Sequence, residues 1–405
     1  MKEQAGSLQV HALELADQTS DYEWKRSSAV NLTTLCSGAV VERLSFQEVF
    51  RRTRRVLAEL KIEVCLLPSY SPRQSLAALL AAKSLGLRTV MMNESHAGTA
   101  RARGLGGWVK RRLVGLFDAA LVGGHPQKRY FVSLGLPQEK IFIGYDAVDN
   151  HYFRRKAREV RDRGPEVRAK YNLPEHYFLS LGRFVAKKNL AVLIRSFHQF
   201  RLANPLAATH LVMVGSGEEE PRLRSLCHEL HLPTYDKTPA GIEYPKSKIE
   251  SGRPGVHFYG FRQIEENPVF YALADAFILP SLSEEWGLVA NEAMASGLPV
   301  VVSESAGCAE DLLEPRASAE SFPPQTATQV AKAGMSEKVR SNGFVFNPRS
   351  YEELSRALLI LEASPGLRAV MGQASRRIVA KFSCENFACN ALRAAQVTLA
   401  TEARN

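Results

Sequence analysis

The 405 residues contain no run approaching the roughly 18 apolar residues of a membrane-spanning helix. The opening residues MKEQAGSLQVHALELADQ lack the apolar core of a signal peptide, so the expected compartment is the cytoplasm. Cysteine is sparse. Cys36, Cys65, Cys227, Cys308, Cys384 and Cys389 form no C-x-x-C pair and have no nearby histidine cluster. That spacing argues against a disulfide framework or a zinc site and for reduced, packing thiols. Aromatic residues make up 8% and are not interleaved with the basic runs, so a base-stacking platform is missing and no nucleic acid partner is expected.

What is present suits a soluble globular chain: 45% apolar and 23% charged residues, with a length that calls for two or three domains. The net charge of +10 is concentrated in FRRTRRVL (50–57), ARARGLGGWVKRRL (100–113) and FRRKAREVRDRG (153–164). Such a surplus suits nucleotide diphosphates or a phospholipid surface, although a solvated helix face explains any single run as well.

Apolar periodicity alternates between strand and helix along nearly the whole chain. In the first half, the strands LQVHALEL, AVNLTTLC, IEVCLLPS, RTVMMNES, AALVGG and KIFIGY are separated, from the second onward, by helical patterns. Residues 151–172 are charged, contain Gly164-Pro165 and read as a linker. Alternation then resumes with YFLSLGR, THLVMVG, VHFYGF, AFILPS, PVVVS and GFVFNP as strands, while 233–254 and 315–340 read as surface insertions. The expected fold is α/β, with two doubly wound Rossmann-like domains facing a cleft. The expected domains are 1–150 and 173–380, followed by a C-terminal helix at 381–405.

In such sheets ligands sit beyond the carboxyl ends of the strands. There, in SLGRFVAKKNL, Arg183 and Lys188 offer a planar fork and a point charge, a pair suited to a diphosphate. Lys187 reads as an outward-facing neighbour. Gly215 and Gly217 in MVGSGEEE would permit close backbone approach, though a tight turn explains them equally. In PSLSEEWGLVANEAMASGLPVVVS, a helix starting near Trp286-Gly287 would turn its free N–H groups toward an anion. Glu284 precedes that helix and Glu292 lies within it. Two separated carboxylates flanking an anion site suit an elongated ligand with hydroxyls at both ends, such as a nucleotide sugar. Glu285 has the wrong spacing and reads as a bystander. At the end of RTVMMNES, Glu94 and His96 are the candidates to assist an acceptor hydroxyl.

These residues carry a resemblance. LGRFVAKKNLAVLI, LVMVGSGEE, VHFYGF and above all PSLSEEWGLVANEAMASGLPVVVSESAGCAEDL resemble the retaining GT-B glycosyltransferases called family 4, whose signature is E-x7-E. The resemblance runs from about residue 60 to the C-terminus and is strongest over 177–313. It implies that Glu284 contacts the donor sugar, Glu292 the ribose, and Arg183 with Lys188 the diphosphate. It also implies that amides near Gly287 and Leu288 hold phosphate and sugar, and that Gly260 and Phe261 lie beside the base. Neither cofactor nor metal is implied, since the two cations and the helix N-terminus supply the electrostatics. The implied partners are a nucleotide diphosphate sugar, taken by the domain at 173–380, and a saccharide or lipid-linked acceptor, taken by the domain at 1–150, with the helix at 381–405 packing back on the first domain. Peripheral contact at the inner face of a membrane would run through the basic patches.

One departure stands out. The family opens with an apolar strand and a glycine-rich loop, whereas LQVHALEL resembles its second strand. The expectation is an N-terminal domain lacking its first strand, with impaired activity. The alternative function is therefore a protein that binds nucleotide sugar without turnover. A GT-B epimerase or phosphorylase is a third reading whose patterns are not evident.

Overall fold

The computed structural model describes residues 9–19, 32–100, 105–236, 253–314, 317–318 and 341–400. Two compact units emerge: Met1–Asp146 with Cys384–Asn405, and Ala147–Ser383. Most of the two expected insertions lies outside the described residues.

The first unit begins with β1 (Ala12–Gln18) and β2 (Leu32–Val40), which pair in parallel as a two-stranded sheet. LQVHALEL thus contributes to a small sheet and does not sit in the middle of a larger one. There follow α1 (Phe46–Glu59), β3 (Val64–Leu67), α2 (Arg73–Ser84), β4 (Arg88–Asn93), α3 (Leu105–Val114), β5 (Ala119–Val122), α4 (His125–Ser133) and β6 (Ile141–Ile143). Strands β3-β4-β5-β6 form a second, all-parallel sheet in chain order. Helix α1 starts at Ser45, whose side chain accepts from Glu48 N–H, and buries Val49, Thr53 and Leu57 on one stripe. Its arginines face outward, and Arg52 and Arg55 pair with Glu48 and Glu59 one turn away. The basic run at 50–57 is therefore a solvated helix face. The C-terminal helix Cys384–Ala400 joins this unit, setting Ala391 and Ala394 against Val90, Ala119 and Leu121 of the sheet. Alanine there lets the helix axis come close to the strands.

The second unit opens with α5 (Asn150–Asp162) and α6 (Gly164–Tyr171), so residues 151–172 are helical where a linker was expected. Most of the charged residues that suggested a linker are exposed on α5, while Phe153 and Ala157 are buried at helical spacing and Arg161, next on that stripe, donates to Ser296 O. Asp149 caps the helix by accepting from Tyr152 N–H. Then come β7 (Tyr177–Leu181), α7 (Leu190–Ala203), β8 (His210–Val214), α8 (Glu220–Glu229), β9 (Thr234–Asp236), β10 (Val256–Phe258) and α9 (Asn267–Leu273). They are followed by β11 (Ala276–Leu279), α10 (Leu288–Ala295), β12 (Val300–Ser303), α11 (Ala309–Leu312), β13 (Gly343–Phe346), α12 (Tyr351–Ala363) and α13 (Pro365–Val379). The seven strands are all parallel, in the order β13-β12-β11-β7-β8-β10-β9. From β7 the chain winds outward through β8 to β9 and β10, then returns to the other side of β7 as β11 and winds the opposite way. The reversal point lies between β7 and β11, where open parallel sheets bind their ligands.

The strands read as continuous apolar runs because both faces are covered. Phe178, Ile194, Phe197, Phe200, Leu211 and Leu358 lie together in one core. Among the described residues, no helix is long and apolar enough to cross a membrane.

Helix α7 provides an internal comparison. Phe197 is fully buried, whereas Leu202 is 61% exposed. Phe197→Ala should lower the stability of this unit by about 3–5 kcal/mol. Leu202→Ala should change it by under about 0.5 kcal/mol in chemical denaturation.

Candidate functional site

The loops after β7, β11 and β12 converge at the reversal point. After β7, residues 182–189 carry Arg183, Lys187 and Lys188. After β11, residues 280–287 carry Ser281, Glu284 and Glu285. Leu282 N–H donates to Lys187 O at 2.8 Å, and Gly307 N–H donates to Glu284 O at 3.0 Å, so the three loops are tied through their backbones. Asn189 adds a clamp. It adopts a left-handed conformation, φ 55°, and its Nδ2 donates to Pro280 O at 3.1 Å and Pro348 O at 2.7 Å.

Within this frame Glu284 is 8% exposed, and its Oε2 accepts from both Lys188 Nζ and Ser281 Oγ, the latter at 3.0 Å. Beside this buried pair lies an outer one, Lys187 with Glu285 at 3.1 Å, both partly exposed. The two residues set aside in the sequence as outward-facing and bystander thus pair with each other. An exposed pair of this kind contributes about 0–1 kcal/mol. The inner pair differs, because removing Lys188 would leave a carboxylate enclosed without its counter-charge.

Helix α10 begins immediately after these loops. Gly287, its N-cap at φ 110°, has no side chain with which to cap. A Cβ there would approach Leu279 Cδ2 to 2.7 Å and Glu284 Cγ to 3.4 Å. Glycine thus serves both the left-handed turn and the close packing. Ala290 N–H donates to Gly287 O at 2.8 Å, no side chain caps this helix start, and Leu288 at its first position is exposed. Behind the turn, Trp286 is fully buried, donating from Nε1 to Asn291 Oδ1 at 2.9 Å and packing on Phe382.

Glu292 sits one face deeper in α10. It is 7% exposed and accepts from Tyr271 O–H of α9 at 2.8 Å. Burial pushes its carboxyl up to about 7, against the opposing effect of hydrogen bonds from Tyr271 and Asn267. Glu284 and Glu292 therefore have separate surroundings: one is ion-paired at the sheet edge, the other held by neutral donors.

The remaining candidates divide. Arg183 is exposed just beyond β7. A Cβ on Gly215 would come within 1.9 Å of Gly182 O, and one on Gly217 within 2.4 Å of Phe184 O. Both glycines therefore let the loop after β8 pack on the loop after β7. Gly260, at φ 66°, faces open space on the same sheet edge, and Phe261 beside it is exposed. Glu94 and His96 belong to the other unit, at the carboxyl end of β4. His96 is 9% exposed, and its Nδ1 accepts from Gly98 N–H at 3.2 Å. Nearby, burial and the Glu94 charge hold the Asp146 carboxyl well above the usual carboxylate range.

Asn189, Ser281, Tyr271 and Asn267 were not singled out in the sequence. A signal existed for Asn189 alone, an asparagine between two lysines and a helix start, where a left-handed residue is favoured. Among the described residues, no three His, Cys, Asp or Glu side chains gather as a metal would require.

Residues 175–364 match the family model described as "Glycosyl transferases group 1". The sulfoquinovosyl transferase of Arabidopsis thaliana is 32% identical over 135 residues, 33% of this chain and 22% of that protein. The GDP-mannose-dependent alpha-(1-6)-phosphatidylinositol monomannoside mannosyltransferase of Mycobacterium tuberculosis is 27% identical over 308 residues, 71% of each chain. The matches span 22% to 34% of the first three curated relatives' length. Among solved structures, a glycosyltransferase from Rickettsia africae superposes with TM-score 0.66 at 14% identity, covering 91% of this chain and 85% of that one. Sucrose-phosphate synthase from Thermosynechococcus elongatus gives TM-score 0.63 at 18% identity, covering 97% and 89%. The fold is GT-B, and the resemblance to its glycosyltransferases holds.

Two outcomes follow from these environments. Lys188→Ala should destabilise the protein by about 3 kcal/mol, and the double variant Lys188→Ala/Glu284→Gln should recover much of that loss in a double-mutant cycle. For Glu292, the folded carboxyl titrates at about 7 against an ordinary value of 4.5, so the folded state holds the extra proton between those values. Its contribution is therefore most favourable below the ordinary value, falls as pH rises to about 7, and is flat above. Glu292→Gln should consequently gain stability relative to the parent between about pH 5 and about pH 8, measured as the difference in denaturation free energy.

Proposed function

We propose that the protein transfers a hexose-type sugar from a nucleotide diphosphate sugar to a hydroxyl acceptor, with retention of configuration. The observation that carries this reading is the Lys188–Glu284 pair beside the uncapped start of α10, at the reversal point of a parallel sheet. A half-buried cation and an uncapped helix start together favour a diphosphate. In this reading, Lys188 and Arg183 stabilise the charge that grows on the departing diphosphate. Glu284 accepts from the sugar hydroxyls, and on donor binding shares Lys188 with the incoming phosphate. Glu292 accepts from the ribose, with Tyr271 and Asn267 holding its carboxyl in place. Amides at Gly287 and Leu288 hold phosphate and sugar, and the base lies near Gly260 and Phe261. Gly215 and Gly217 act by keeping the loop with Arg183 close.

Same-face attack, as the leaving phosphate departs, needs no enzymic nucleophile, so Glu284 is not given that role. The two cations and the helix start take the place of a metal. The acceptor is a saccharide or a lipid-linked glycan, met by the first unit, where Glu94 and His96 are candidates to assist its hydroxyl. The mycobacterial relative is named for a phosphatidylinositol monomannoside acceptor. That supports the lipid-linked alternative, with peripheral contact at a membrane surface. The second reading, binding without turnover, makes the same contacts but releases no sugar.

A thermal-shift series with UDP-, GDP- and ADP-sugars should single out one base, since a ligand bound only by the native state raises apparent stability. With that donor, slow release of free sugar should be measurable. Lys188→Ala and Glu284→Gln should each lower the release by roughly 10²–10³-fold. Stabilisation without release would favour the binding-only reading. Full release by both variants would overturn the site.

A further inference from the structure

The third basic run of the sequence has a different setting from the first. Along α5, His151, Arg154, Arg155, Arg158 and Arg161 line a cavity of about 630 Å³, completed by Asp162 and by Arg376 of α13. Arg155 is engaged by Glu159 at 3.1 Å, and Lys156 shares that carboxylate. Arg161 and Arg376 both donate to a single acceptor, Ser296 O, at 2.8 and 3.3 Å. That carbonyl ends α10, and a helix C-terminus carries only about half a negative charge. Two guanidinium groups are more than it needs.

Other observations point the same way. Arg376 Nε and Ser296 Oγ are buried without a hydrogen-bond partner. Although Arg161 is exposed along part of its side chain, crowding by the protein and the facing Arg376 charge lower its guanidinium to about 10. Burial and the Arg154 charge likewise lower Arg376. Asp162 is the one carboxylate of the lining, and among the described residues no ion pair joins it to Arg154, Arg158, Arg161 or Arg376. The cavity's size falls within the range of small-molecule pockets, about 300–1,000 Å³. It lies at the C-terminal end of α10. The proposed donor site lies at the N-terminal end, roughly 12 Å away by helical rise.

We propose that this pocket is a second anion site that binds a phosphate-bearing ligand, with Arg154, Arg158, Arg161 and Arg376 supplying the charge. Guanidinium forks match phosphate oxygens in geometry, and a bound phosphate would relieve the mutual repulsion of Arg161, Arg376 and Arg154. The phosphate can belong to a free phosphorylated metabolite or to a phospholipid headgroup, and the chemistry of recognition is the same.

Hydrogen–deuterium exchange on the full chain tests this and separates the pocket from the donor site. The probes are inorganic pyrophosphate, vesicles of equimolar phosphatidylglycerol and phosphatidylcholine, and vesicles of phosphatidylcholine alone. The expected result is protection of peptides covering 150–162 and 365–379 by pyrophosphate, by the anionic vesicles, or by both. Arg154→Glu/Arg158→Glu should weaken it about tenfold or more. Pyrophosphate protection assigns a free ligand, whereas protection by anionic vesicles alone assigns a headgroup. Should the double glutamate variant fail to fold, Arg154→Gln/Arg158→Gln gives the same reading. Protection confined to 281–295, protection by the neutral vesicles as strong as by the anionic ones, or affinity unchanged in the variants would overturn the proposal.

Discussion

The second unit depends on one electrostatic constraint: a carboxylate enclosed at the reversal point of its sheet must have a cation beside it. Glu284 lies in the loop after β11 and Lys188 in the loop after β7, and these strands are neighbours only because the chain reverses between them. The topology thus brings together charges nearly a hundred residues apart in sequence. Packing then fixes the loops that carry them. Asn189 joins the loops after β7, β11 and β13, and the glycines after β8 admit the turn that holds Arg183. A pair so enclosed adds little net stability of its own, because both charges lose water. Its importance is local: neither group can leave its place without exposing the other to an unfavourable field, so the site is kept in order before any ligand arrives.

The second glutamate obeys a different rule. Glu292 has no cation, and its protonation is set chiefly by burial, with Tyr271 and Asn267 opposing. A carboxyl that titrates near neutrality responds to any ligand that brings a donor hydroxyl toward it. Two glutamates in one short motif therefore have different partners: one faces a lysine across the sheet edge and the other faces neutral donors on α9.

Much of this was legible in the sequence. Buried parallel strands are short apolar runs, and twelve of them could be marked because the helices between them have a different period. Glu284, Lys188 and the helix start after Gly287 were visible because acidic, basic and glycine residues interrupt those runs at strand ends. What escaped has a physical cause in each case. Helix α5 reads as a linker because its exposed face is so charged, although Phe153 and Ala157 mark its inner face. Strand β9 is three residues long, with only Tyr235 buried, and gives too short a pattern to register. Tyr271 and Asn267 reach Glu292 from another helix, and nothing local to either announces the contact. The pairing of Lys187 with Glu285 is of the same kind.

Helix α10 joins these observations. Its eight residues begin at a glycine that offers no capping side chain and end at a carbonyl taken by two arginines. The uncapped start lies next to the Lys188–Glu284 pair, and the excess of cations lies at the far end. A helix C-terminus carries about half a negative charge, so two guanidinium groups at Ser296 O over-compensate it and leave the local balance positive. Because the influence of a helix pole is confined to its own turn, the two ends of α10 meet their charge requirements separately, one through a lysine of the loop after β7 and the other through arginines of α5 and α13.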